Sequence, residues 1–159
     1  MSRPHEPPIG LRLASTAKAV SRAFDEALAE AGGSRPTWLI LLSLKMKQLA
    51  NQRQLAEDVG IEGATLTHHL DVMEADALLT RRRDPANRRV HLVELTRQGE
   101  SAFQRMRGAA TEFDRRLRAG ISDAEIAQLG QLLGRVLSNV AGDTEPDQLA
   151  RPAGRRVAP

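Results

Sequence analysis

Five arginines, Arg81, Arg82, Arg83, Arg88 and Arg89, flank the tetrapeptide Asp84-Pro85-Ala86-Asn87, which carries the one acidic residue among them. A guanidinium is a permanent cation with its donors in a fixed fork, so this cluster suits phosphate groups or a narrow, negative groove. Upstream, Ala64, Thr65, Thr67, His68 and His69 form a run without formal charge at neutral pH. Short and hydrogen-bonding side chains of this kind suit base edges in a major groove, where His68 can donate or accept. The plainer alternative for the arginines is a solvated hairpin whose charge keeps an edge strand from aggregating.

Other chemistry lacks its parts. The four histidines, His5, His68, His69 and His91, have no acidic companions at metal-ligand spacing. Neighbours on a helix point about 100° apart, so His68 and His69 are poorly placed to grip one ion. No nucleophile, base and orienting group stand together, so neither a catalytic centre nor a cofactor is expected. The absence of cysteine excludes disulfides, thiolate metal sites and thiol-based redox sensing.

The elements that must hold these residues follow from capping and periodicity. Asn51 and Gln54 are spaced as a reciprocal capping pair at the start of a helix with Leu55, Ala56 and Val59 on its apolar face. Gly60 permits a left-handed turn. Leu66, Leu70, Met73 and Ala77 then recur at helical spacing, which predicts a second helix with Ala64, His68 and Asp71 on its outward side and Thr65 and Thr67 on its flanks. A two-stranded ribbon begins near Leu79, turns through Asp84-Pro85, a type I signature, and returns through Leu95. Helix, turn, helix and ribbon is the order of a winged helix-turn-helix.

Long seams flank this module. Leu13, Ala17, Val20, Phe24, Ala27 and Ala31 alternate by four and three, until Gly32-Gly33 stops the helix. Ser34 and Pro36 open the next helix, which is apolar nearly all round from Trp38 and is therefore expected to be central. Thr96 caps a further helix bearing Phe103, Met106, Ala110, Phe113 and Leu117. After Gly120, Ser122 and Glu125 form a capping box ahead of Ile126, Leu129, Leu133, Val136 and Val140. A single chain of this size would struggle to cover every seam, so the outer helices, residues 9–31 and 97–140, are expected to pair with those of a second copy.

The chain of 159 residues is 41% hydrophobic, which is enough for one core, but only 3% aromatic. Its net charge is +3 although the isoelectric point is near 10.1, so the basicity is local. Residues 1–8 hold three prolines and are expected to form a flexible arm, and residues 142–159, without periodicity, a disordered tail. No apolar run is long enough to span a bilayer, and the N-terminus has no signal-like segment, so a cytoplasmic protein without membrane partners is expected.

From Ile9 to Ala141 the arrangement resembles the MarR family of bacterial transcriptional regulators, most specifically over QLAEDVGIEGATLTHHLDVMEADALLTRRRDPANRRVHLVELTRQGE. The resemblance implies a mainly α fold with a small β-wing, a winged module over about residues 36–96 and long terminal dimerisation helices. It also implies double-stranded DNA as partner, an obligate homodimer on a pseudo-palindromic operator, usually repression, and often release by a small aromatic or phenolic effector. The corresponding effector region involves Arg12, Trp38 and Leu42, with Trp38 alternatively a simple core anchor. The DNA-binding candidates are Ala64, Thr65, Thr67, His68, His69, Arg81, Arg83, Arg88 and Arg89. An alternative use of such a fold is a protein-interaction module whose basic wing meets an acidic partner.

Three positions depart from the family pattern. His69 stands where an aliphatic residue is usual, and Asn87 replaces the aspartate of an Asp-x-Arg wing motif, which questions the usual wing salt bridge. Ala77 replaces a glycine, which disfavours a left-handed turn there and is expected to shift the helix end.

Overall fold

The computed structural model describes residues 7–47 and 50–141. In order, they form α1 (Ile9–Glu30), α2 (Arg35–Lys47), β1 (Ala50–Asn51), α3 (Gln52–Val59), α4 (Gly63–Ala75), β2 (Leu79–Arg83), β3 (His91–Leu95), α5 (Arg97–Leu117) and α6 (Asp123–Ala141). The fold is mainly helical with a small sheet. Most of the expected arm and all of the expected tail fall on residues 1–6 and 142–159, outside the described residues.

Helix α2 is the hub that its all-round apolar sequence predicts. Ile40, Leu41 and Leu44 are buried, and the helix touches α1, α3, α4, α5 and β3. Trp38 stacks on Phe103 of α5 at 5.6 Å with rings 8° from parallel, and Phe24 of α1 meets Phe113 at 5.1 Å. The core contains no buried polar or charged residue among those described. Its cohesion therefore rests on apolar burial and dispersion.

The sheet has three antiparallel strands in the order β1-β3-β2. The predicted ribbon is there, with Leu79 opposite Leu95 and Arg83 opposite His91. The unpredicted member is β1, where Asn51 lies opposite Leu92. Two residues are too few to leave an alternating signature in a sequence. Asn51 also caps α3, its side chain accepting the Gln54 N–H at 2.8 Å, but the reciprocal bond expected from the Gln54 side chain is not among those of the described residues. The box at Ser122 and Glu125 does close in both directions, at 2.8 and 3.3 Å.

The flanking helices differ sharply in cover. Along α1 the expected seam is half-buried at Val20, Phe24 and Ala27, and Leu28 beside it is fully buried, but residues 14–19 are exposed. Helix α6 buries none of its residues. Leu129 and Leu132 are each 47% exposed, Leu133 42% and Val140 76%.

Candidate nucleic-acid interface

The turn between α3 and α4 is made as the sequence demands. Gly60 takes φ 69° and its N–H returns to the Ala56 carbonyl at 2.9 Å. Helix α4 then buries Leu66, Leu70 and Met73 against the core. The 100° step leaves Ala64, His68 and Asp71 exposed on the opposite face, with Thr65 beside them.

Thr67 and His69, also DNA-contact candidates, are placed differently. Thr67 is half-buried, donating its hydroxyl to the Gly63 carbonyl at 2.9 Å and accepting from Gln52 Nε2 at 2.7 Å. It fastens α3 to α4. His69 is half-buried in the aliphatic position of the motif, its ring 6.0 Å from that of His68. Among the described residues no three His, Cys, Asp or Glu gather as metal ligands.

The wing tip is held by main-chain bonds. The Asn87 N–H reaches the Asp84 carbonyl at 3.2 Å, as the Asp-Pro signature predicts, and a second turn follows in which the Val90 N–H donates to the Asn87 carbonyl at 2.8 Å. Each turn has a side-chain clip, Asp84 Oδ1 accepting from the Ala86 N–H at 2.8 Å and Asn87 Oδ1 from the Arg89 N–H at 3.2 Å. An amide oxygen accepts as a carboxylate does, so Asn87 serves its local turn without an ion pair. Arg83, Arg88 and Arg89 are exposed and make no ion pair with any described residue.

Arg81 and Arg82 are not available in the same way. Arg82 pairs with Glu94 across the ribbon at 3.1 Å. Arg81 turns onto the recognition helix. Its Nη2 lies 2.5 Å from Asp71 Oδ1 and 2.7 Å from Glu74 Oε2, Nε donates to the same Glu74 oxygen at 2.9 Å, and its backbone N–H donates to Glu74 Oε1 at 3.0 Å. Its side chain is only 18% exposed. The Arg81 side-chain hydrogen bonds hold the Glu74 carboxyl below its usual range. Counting arginines along the sequence overstated the charge of the tip, because the acids that offset it lie on α4 and the opposite strand.

A tight joint links this surface to α5. Ala77 adopts φ 57°, the only positive φ of a non-glycine among the described residues. The left-handed turn expected to be lost with the missing glycine is therefore kept. The start of α5 holds it. The Asp76 carbonyl accepts from Gln98 Nε2 at 3.1 Å, that of Ala77 from the Thr96 hydroxyl at 2.5 Å, and that of Leu78 from the Thr96 N–H at 3.1 Å. Such a conformation costs about 1–2 kcal/mol for a residue with a Cβ. Three hydrogen bonds are enough to offset it. Gly99 makes the approach possible, since a Cβ there would stand 1.8 Å from the Leu78 carbonyl oxygen.

The effector candidates lie apart from two clefts found among the described residues. Trp38 and Leu42 pack against the core, and Arg12 is exposed on α1. One cleft of about 520 Å³ follows Lys18, Arg22, Asp25 and Glu26 along α1, and another of about 290 Å³ between α1 and α5 is lined by Ala27, Glu30, Glu112, Phe113 and Arg116. Neither includes Arg12, Trp38 or Leu42.

A helix pair joined by a left-handed glycine, followed by a basic ribbon docked on the second helix, defines a winged helix-turn-helix protein. Known proteins agree. Residues 34–91 match the MarR family. A stretch of 90 residues is 31% identical to YdgJ, an uncharacterised HTH-type transcriptional regulator of Bacillus subtilis (strain 168), covering 57% of this chain and 55% of that protein. The chain thus spans about half the length of that curated relative. Among solved structures, the transcriptional repressor CouR bound to a 23-mer DNA duplex is 25% identical with a TM-score of 0.72, over 81% of this chain and 92% of that one. BpsR of Bordetella bronchiseptica, whose DNA binding is described as regulated by 6-hydroxynicotinic acid, shares the fold at a TM-score of 0.72 with 20% identity, over 87% of this chain and 99% of that one. Over its winged module, residues 34–91, the chain is similar to the MarR family of regulators.

Proposed function

We propose that this chain binds double-stranded DNA sequence-specifically as a homodimer on a pseudo-palindromic operator, and acts as a repressor of transcription. The observation that carries the reading is the pairing of two surfaces. One is the exposed, uncharged start of α4 at Ala64, Thr65 and His68; the other is the exposed basic tip at Arg83, Arg88 and Arg89. In this reading α4 enters the major groove and the tip meets phosphates or the minor groove. Thr67, His69 and Arg81 shape the surface from behind.

The dimer is supported by the uncovered apolar residues of α1 and α6, which include Ile9 at 73% and Leu11 at 65% exposure. Two copies place two α4 helices on half-sites about one helical turn apart, roughly 10 base pairs centre to centre. A small aromatic or phenolic effector that released the DNA would bind near Arg12, Trp38 and Leu42 in a site completed by the second copy, since the two clefts lined by described residues of one chain lie elsewhere.

Selecting bound fragments from genomic DNA, then measuring affinity for the selected and random duplexes over a range of salt, tests the reading. Expected are a log-linear fall with salt and a preference for the selected sequence of about 1,000-fold or more. Equal affinity for all sequences would favour the protein-interaction alternative.

A further inference from the structure

We infer that Arg81 is a positioning residue that sets the wing against the recognition helix, and so contributes to operator specificity without touching DNA. The inference rests on the DNA-binding reading, but its structural half stands apart from it. Arg81 leaves β2 and spans two carboxylates one helical turn apart on α4, Asp71 and Glu74, while Glu74 also accepts the backbone N–H of Arg81. Both Nε and Nη2 of the guanidinium fork converge on Glu74 Oε2, Nη2 also reaches Asp71, and the main-chain N–H takes the other Glu74 oxygen. A fork of this kind fixes direction as well as distance, which a point charge such as lysine does not.

The geometry has two consequences. The rotation of the wing about α4 is restrained at its base, so Arg88 and Arg89 at the tip are presented at a fixed angle to His68 and Thr65. The fork also pairs the charge of Asp71, which stands 58% exposed on the face that carries His68. An unpaired carboxylate there would face the phosphates of a bound duplex.

The test compares Arg81→Met, the neutralised pair Asp71→Asn with Glu74→Gln, and the triple variant, with thermal melting to confirm that each folds. In free protein, amide exchange along β2 and β3 should quicken about tenfold in Arg81→Met and in the triple variant to the same extent. With DNA, Arg81→Met should lower the operator-to-random affinity ratio about tenfold. The neutralised pair should lower it in the same direction, and the triple variant should be no worse than Arg81→Met, because all three break one fork. If Arg81 instead contacted DNA, neutralising the acids would leave the ratio intact or raise it and the effects would add, which overturns the proposal. Unchanged exchange in Arg81→Met overturns it even if the protein proves to have no operator preference, so the two failures are distinguishable.

Discussion

The winged module and α6 are built from similar residues, mostly leucine, alanine and valine at helical spacing, yet end in opposite states. In the module Leu41, Leu55, Leu66 and Leu70 are completely buried. In α6 Leu129, Leu132 and Leu133 remain nearly half exposed, although the helix is well capped by Ser122 and Glu125. The difference teaches that amphipathic periodicity announces only that a face wants cover. What covers it is decided by where the chain returns. Helix α2 is enclosed by segments before and after it, whereas α6 packs closely on no other element among the described residues.

The largest effect expected from this contrast is at the module. Leu70→Ala removes a completely buried side chain where α4 meets the core, and should cost about 2–5 kcal/mol in chemical denaturation. A loss below 1 kcal/mol would mean that the module is far less tightly packed than its burial implies.

In the proposed homodimer, substitution on α6 should act through association. Leu129→Glu together with Leu133→Glu should leave helix content by circular dichroism nearly unchanged while raising the dimer dissociation constant by a hundredfold or more, about 2.7 kcal/mol, as read by sedimentation. A dimer as tight as wild type would place the interface elsewhere.

At the joint between the module and the start of α5 the expected change is smaller and favourable. Ala77→Gly relieves the cost of holding a Cβ at φ 57° and should stabilise the fold by about 1 kcal/mol, seen as a rise in melting temperature. Destabilisation instead would show that restricting the unfolded chain matters more at this position than strain.

The smallest effect is a pH dependence at the wing base. The carboxyl of Glu74 is held below its ordinary 4.5 by the Arg81 hydrogen bonds, so its contribution is complete above that pH and is lost as pH falls through the lowered value. Glu74→Gln should therefore reduce the acid sensitivity of stability below about pH 4.5 and change nothing in that slope near neutrality. An identical acid profile in the variant would show that the pairing contributes no net stability.

Much of the fold was legible because its signals are local. The caps at Thr96 and Ser122, the left-handed Gly60, the Asp84-Pro85 turn and the spacing of Leu66, Leu70 and Met73 each depend on residues within a few positions of one another. The exposed face of α4 at Ala64, Thr65 and His68 follows from the same periodicity. Less legible were the features made by distant partners. Strand β1 is too short for a pattern, and the tie from Gln52 to Thr67 joins two helices across a turn. Ala77 read as a departure from a glycine position, when its left-handed turn is held by Thr96 and Gln98 from the next helix.

The sequence by itself determined the helices, the turn, the wing and the presence of a locally basic tip, because capping, periodicity and turn chemistry act over one or two turns of chain. Only the tertiary structure decided which charges the tip keeps. Arg81 and Arg82 sit in the same run as Arg83, but their strand lies against Asp71, Glu74 and Glu94, which arrive from other elements. Electrostatic pairing depends on distance in space, falling off within a few ångströms at a solvated surface, and distance in space is what a linear sequence does not specify.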